Sequence, residues 1–182
     1  RGLGDVYKRQ GYDLPAAIGA CIAAGKKRVI CIAGDGSIQM NIQELQTIIG
    51  NNFPIKLFIL NNDGYLSIKQ TQQSYFNGNL VGCDPKSGVT LPSLNKIMGA
   101  YGIPYRSCRN HDEMRDKIQD NLREVGPQAC EVFLDLTQGF APKLASRQLE
   151  DGRIVSPALE DMFPFLSREE LKRNMLIPLL DT

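Results

Sequence analysis

The chain has 182 residues, 42% of them hydrophobic and 23% charged, with a formal net charge of +1. That length fits one domain of ordinary size, and the composition is globular. The near-neutral balance gives no footing to a nucleic-acid or lipid-surface partner, and no apolar run is long enough to span a bilayer.

Residues 1–10 do not open like a natural protein. There is no initiator Met and no signal-peptide pattern, and Asp5-Val6-Tyr7-Lys8-Arg9-Gln10 reads as a translated sequencing-library adapter. A basic loop is the other reading. We set 1–10 aside as a non-native scar, take 11–137 as the folded domain, and take 138–182 as an extension that packs on the domain or a partner subunit.

Asp13 followed by Leu14-Pro15 predicts a helix start, and Gly25 a C-terminal stop. Lys26-Lys27-Arg28 reads as a surface turn, although it could contact phosphate. Val29-Ile30-Cys31-Ile32-Ala33 predicts a buried strand, ended by Gly34-Asp35-Gly36-Ser37. Asn41 with Glu44 predicts a capping box, and Ile42, Leu45, Ile48 and Ile49 an amphipathic face behind it. Ile55 to Leu60 predicts a second strand, ended by Asn61-Asn62.

The stretch from Asp63 to Gly88 is polar and long for a connector, which predicts a binding loop or lid. Pro92-Ser93 opens a helix running to Gly102, and Ile103 to Cys108 predicts a strand. Asn110 and Glu113 cap a further helix whose stripe is Met114, Ile118, Leu122 and Val125, read as core-packing or as a partner interface. Ala129 to Leu136 predicts the last strand. Beyond Gln138 the periodicity fades from Phe140 to Pro157, until Ser167 caps a short helix carrying Leu171 and Met175. Alternating strands and helices argue for an α/β fold: a doubly wound, mostly parallel sheet with helices on both faces.

Asp35 and Asn62 therefore stand at two strand exits. In a parallel sheet those exits share one edge, where ligands of open α/β folds bind. Both offer hard oxygen ligands, the kind Mg²⁺ takes beside phosphate oxygens. Gly36 admits close backbone approach to a phosphate, and the following helix would aim N–H groups at it. This is a plausible diphosphate–Mg²⁺ site.

Gly-Asp-Gly-Ser followed at this distance by Asn-Asn resembles the signature of thiamine-diphosphate enzymes. Gly11-Tyr12-Asp13-Leu14-Pro15-Ala16-Ala17-Ile18-Gly19-Ala20 is similar to the entry to the diphosphate domain of the acetolactate synthase branch. The resemblance covers roughly Gly11 to Leu136. It implies the thiamine-diphosphate-binding fold, with thiamine diphosphate and Mg²⁺ as cofactors. It also implies metal ligation by Asp35, the Asn62 side chain and the Gly64 carbonyl, and cofactor contacts from Gly34, Asp35, Gly36, Ser37, Asn62, Gly64 and Tyr65. The implied reaction is decarboxylation or carboligation of a 2-oxo acid such as pyruvate, in which the cofactor ring is the electron sink as CO₂ leaves.

In this family a glutamate in another domain, usually on a partner subunit, activates the cofactor. No candidate stands here, since Glu44 and Glu113 read as helix caps, and the apolar residue that bends the cofactor would precede Gly11. The chain thus implies upstream domains and a homodimer or tetramer, and alone it should bind cofactor weakly and catalyse nothing. Acetolactate synthases usually carry Gln-Trp-Gln after the Asn pair; here the position reads Gln70-Thr71-Gln72, and the chain has no Trp. Acceptor choice should differ, so a related carboligase or decarboxylase is an equal reading. Tyr65, Gln70, Thr71 and Gln72 are candidates for the substrate-side loop.

Five cysteines (Cys21, Cys31, Cys83, Cys108, Cys130) show no Cys-x-x-Cys spacing and an odd count. They read as reduced core residues of a cytoplasmic protein. His111 is the only histidine, so a Ser-His-Asp triad has little to build on. No P-loop or Gly-x-Gly-x-x-Gly sequence occurs. A non-catalytic relative that binds the cofactor for assembly or regulation is the alternative, and an unrelated α/β binding module the more distant one.

Overall fold

The computed structural model describes residues 10–139, 141–148 and 152–178. The reading of 1–10 as a scar therefore falls, Gln10 apart, outside the described residues. The chain divides after Thr137 into two compact units.

The first unit carries four parallel strands: β1 (Val29–Gly34), β2 (Ile55–Asn61), β3 (Tyr105–Cys108) and β4 (Gln128–Phe133). Their order is β1-β2-β4-β3, so the last strand enters between β2 and β3. Around them run α1 (Asp13–Ala23), the single turn α2 (Asp35–Ile38), α3 (Glu44–Gly50), α4 (Leu66–Tyr75), α5 (Leu94–Tyr101) and α6 (His111–Arg123). The expected α/β fold with a parallel sheet is what forms.

Pairing register explains the core. Cys31, Leu57 and Ala129 stand side by side, as do Ala33, Ile59 and Glu131. Alternation sends these residues to one face. Leu14, Ala17, Ile18 and Cys21 of α1, Leu45 and Ile48 of α3, and Leu94 and Met98 of α5 close over that face. Leu14, Leu45, Ile48, Ile55, Leu57, Ile59 and Met98 are fully buried. Each such side chain contributes about 1.5–3 kcal/mol.

The opposite face is built differently. There α6 packs against β3 and β4, and its one buried residue is polar: Asn121 donates Nδ2 to the Leu57 carbonyl at 3.2 Å. Buried Lys56 donates Nζ to the Glu124 and Gly126 carbonyls, the latter at 2.7 Å, beyond the end of α6. Met114 and Val125 of the expected stripe are exposed; Ile118 and Leu122 are half-buried. Ile30 and Ile32 of β1 are also exposed, at 53% and 65%.

Three further expectations are corrected. Asn41 does not cap a helix: α3 starts at Glu44 without a side-chain cap, and Asn41 Nδ2 donates instead to the Gly11 carbonyl at 2.7 Å. Glu113 does not complete a box on Asn110. Asn110 Oδ1 accepts the Glu113 N–H, whereas Glu113 accepts that of Arg109. The polar stretch after Asp63 contains α4, none of whose residues is buried.

In the second unit, β5 (Arg147–Gln148) pairs antiparallel with β6 (Ile154–Val155). Helix α7 (Arg168–Asn174) starts with Ser167 Oγ accepting the Glu170 N–H and buries Leu171. Arg168 grips the Asp161 carboxylate with two bonds, at 2.6 and 2.8 Å.

Candidate functional site

β1 pairs with β2 through to its own last residue, Gly34 beside Leu60. Asp35 and Asn62 therefore leave the sheet next to each other. The Asp35 carboxylate is 2% exposed. Its Oδ1 accepts the Gly36 N–H at 2.8 Å, and its Oδ2 accepts those of Asn62 (3.1 Å) and Gly64 (3.2 Å). One buried carboxylate thus joins the two motifs. Burial pushes its pKa above the ordinary range, and backbone N–H groups of Gly36, Gly64, Asp63 and Asn62 pull against that shift.

The side-chain Oδ1 of Asn62, whose backbone N–H that carboxylate accepts, is buried and has no hydrogen-bond partner among the described residues. A buried amide oxygen left unpaired costs about 1–3 kcal/mol, so a partner is expected for it. A hard cation satisfies such an oxygen and favours the ionised form of Asp35. The residues present therefore fit Mg²⁺. Among the described residues no three His, Cys, Asp or Glu cluster. A cation here would rest on one carboxylate and on neutral oxygens, which leaves room for phosphate ligands.

The turn after Asn61 is tightly determined. Asn61 Oδ1 accepts the Asp63 N–H at 3.0 Å, and Asp63 holds φ +59°. Gly64 holds φ +139°, and a Cβ there would stand 2.2 Å from the Cys83 carbonyl oxygen. That same carbonyl accepts the Tyr65 N–H at 2.8 Å. Only glycine fits position 64.

Gly36 departs from expectation. Its N–H is engaged by Asp35, and the space a Cβ would fill is taken by the Tyr65 ring, 2.6 Å from that position. What the missing side chain admits here is an aromatic ring. The Ser37 hydroxyl oxygen accepts the Gly11 N–H at 2.8 Å, and Asn41 holds the Gly11 carbonyl. Ser37 and Asn41 together fix the peptide that leads into α1. Gly34 ends β1 in extended conformation and caps α2.

Gln70, Thr71 and Gln72 lie on α4, in a helix where a loop was expected. Thr71 Oγ1 donates to the Ser67 carbonyl at 3.0 Å. Gln72 uses both ends of its amide on the Val81 backbone, donating to the carbonyl (3.0 Å) and accepting the N–H (2.9 Å). Its amide staples the 76–82 loop to α4.

A cavity of about 390 Å³ opens at the same sheet edge, lined by Asp35, Asn61, Asp63, Arg109, Glu131 and Phe133 among others. Glu131 is buried on β4 and accepts from the Tyr105 hydroxyl and from Asn61 Nδ2, the latter at 2.5 Å. Burial and Glu131 push the Tyr105 phenol well above its usual range, so it stays a donor. Neither residue was singled out from sequence; a lone carboxylate inside the apolar run 129–133 was the available signal. All five cysteines are buried and free, and burial pushes Cys31 up to about 12 and Cys130 up to about 11. Neither of these two is poised as a nucleophile.

A parallel sheet with two polar turns joined at its C-terminal edge is the geometry of a cofactor-phosphate domain. Residues 5–132 match the family model described as thiamine pyrophosphate enzyme, C-terminal TPP binding domain, and the chain belongs to that family. It is 37% identical over 144 residues to an acetolactate synthase large subunit of Porphyra purpurea, covering 79% of this chain and 23% of the relative. It is 34% identical over 140 residues to acetolactate synthase 3, chloroplastic, of Brassica napus (75% and 22%). Identity to the acetolactate synthase large subunit of Buchnera aphidicola subsp. Schlechtendalia chinensis is 35% over 151 residues (83% and 25%). The chain spans about a quarter of the length of these curated relatives. Among the described residues no helix is long and apolar enough to cross a membrane.

Proposed function

We propose that this chain is the cofactor-binding part of a thiamine-diphosphate-dependent decarboxylase or carboligase acting on a 2-oxo acid such as pyruvate. Asp35, the Asn62 side chain and the Gly64 carbonyl hold Mg²⁺, and the ion holds the cofactor's diphosphate. The observation that carries this reading is the orphaned Oδ1 of Asn62, a residue whose backbone N–H is held by the Asp35 carboxylate.

When bound, the cofactor supplies an electron sink for the bond that breaks as CO₂ leaves. The chain's own residues bind and orient. Asp35 neutralises part of the ion's charge, and the 61–64 turn is held on Asp35 by two N–H groups. Tyr65 covers Gly36 and screens that peptide from water. No residue of this chain is assigned the activating proton transfer, which falls to an upstream domain contributed within a homodimer or tetramer. The free thiols support placement in a reducing compartment such as the cytoplasm.

Calorimetric titration with thiamine diphosphate and Mg²⁺, on a protein that includes the upstream domains, tests the reading. Binding that needs both ligands and disappears in D35A supports it. No heat at millimolar ligand rejects it. Product analysis with pyruvate, on a protein that includes the upstream domains, separates an enzyme from a non-catalytic binder.

A further inference from the structure

Glu131 is a buried carboxylate with no ion-pair partner among the described residues. It is 4% exposed on a central strand, and its two oxygens accept from neutral donors, the Tyr105 hydroxyl and Asn61 Nδ2. Burying a charge this way is costly, and a neutral residue would fill the strand more cheaply. The placement asks for a reason. Asn61 supplies it.

An asparagine amide has two ends that look alike in shape and differ in chemistry. A carboxylate only accepts, so Glu131 requires the NH₂ end of Asn61 to face it. The carbonyl end must then face the other way, where it accepts the Asp63 N–H at 3.0 Å. That bond closes the turn in which Asp63 takes its left-handed conformation and from which Asn62 and Gly64 reach Asp35. The line of contact runs Tyr105, Glu131, Asn61, Asp63, from the far edge strand of the sheet to the metal turn.

We propose that Glu131, held by Tyr105, is a positioning residue for the cofactor turn: it sets the orientation of the Asn61 amide and so the conformation of residues 61–64. The assignment rests on the reading of that turn as the Mg²⁺–diphosphate site. The hydrogen bond of Glu131 to Asn61 is the contact through which it acts.

Amide proton resonances of the chain decide it without any ligand. In the wild type, one Asn61 Nδ2 proton is expected to be shifted and slow to exchange; ordinary, solvent-like Asn61 protons would overturn the proposal. E131Q is expected to speed exchange of the Asp63 and Gly64 N–H groups roughly tenfold or more, because a glutamine amide can present either end to Asn61 and replaces a charged acceptor with a neutral one. The Leu57 and Ile59 amides of the same sheet should keep their rates. Equal acceleration throughout the sheet would make Glu131 a fold-stability residue and overturn the assignment, as would no acceleration. Y105F keeps the ring and decides the matter if E131Q does not fold: the Asn61 Nδ2 resonances should move, and unmoved resonances reject the relay. Titration with Mg²⁺ and thiamine diphosphate, on a protein that includes the upstream domains, runs alongside. A roughly tenfold weaker affinity in E131Q supports the role, and unchanged affinity rejects it. A wild type that binds nothing in that form sinks the proposed function, and the amide measurements still decide what Glu131 does.

Discussion

The ring of Tyr65 lies over Gly36, with its nearest atom 2.6 Å from where a Cβ would stand. The two residues come from the two different turns of the site, so the contact locks one turn onto the other. G36A forces the ring aside and should cost about 1–3 kcal/mol in urea unfolding. Y65A in that background should recover part of the loss. A double-mutant cycle that shows simple additivity would deny the contact.

Gly64 meets backbone where Gly36 meets a side chain. A Cβ there collides with the Cys83 carbonyl oxygen at 2.2 Å, at a φ that L residues rarely adopt. Carbonyls cannot swing away as a ring can. G64A should therefore lose more stability than G36A, about 3 kcal/mol or more. Denaturant unfolding of the two variants side by side gives the comparison.

Asp35 links stability to pH. Burial raises its folded pKa above the unfolded value. A raised acid contributes stability that is fully present below its unfolded pKa and is lost as pH rises through the folded one. Without metal, the wild type should lose thermal stability relative to D35N over that interval. At the proposed site Mg²⁺ with thiamine diphosphate would favour the ionised carboxylate, so the stabilisation it gives should grow as pH rises through the same interval and be absent in D35N. Melting curves against pH, with and without both ligands, check the sign.

Gln72 separates two readings of α4. Its amide makes two hydrogen bonds to the Val81 backbone. Q72A should free the 76–82 loop at a cost of about 1–2 kcal/mol, seen as faster exchange of the Val81 amide. A substrate-contacting Gln72 would instead leave Val81 exchange unchanged and alter turnover of the complete enzyme.

The strands that frame the site were legible because their apolar runs end abruptly in glycine, aspartate and asparagine. The helix α4 was not, because it buries none of its residues and so prints no apolar stripe on the sequence. Asn41 looked like a cap because its true partner, Gly11, lies 30 residues back. The stripe assigned to α6 holds only at half-buried Ile118 and Leu122 for a related reason: the fully buried residue of the helix is Asn121, and a polar residue does not register in a hydrophobic period. Asn61 and Glu131 are 70 residues apart, and only the strand order β2-β4 brings them together. Local pattern finds strand ends; topology decides which ends meet.

Among the described residues β1 has a neighbouring strand on one side only, and Ile30 and Ile32 stand exposed on the face turned away from α1. An open row of main-chain donors and acceptors beside greasy side chains is a template for unwanted pairing. Handled by itself, this chain should crowd into clumps as its concentration climbs, well before heat undoes it.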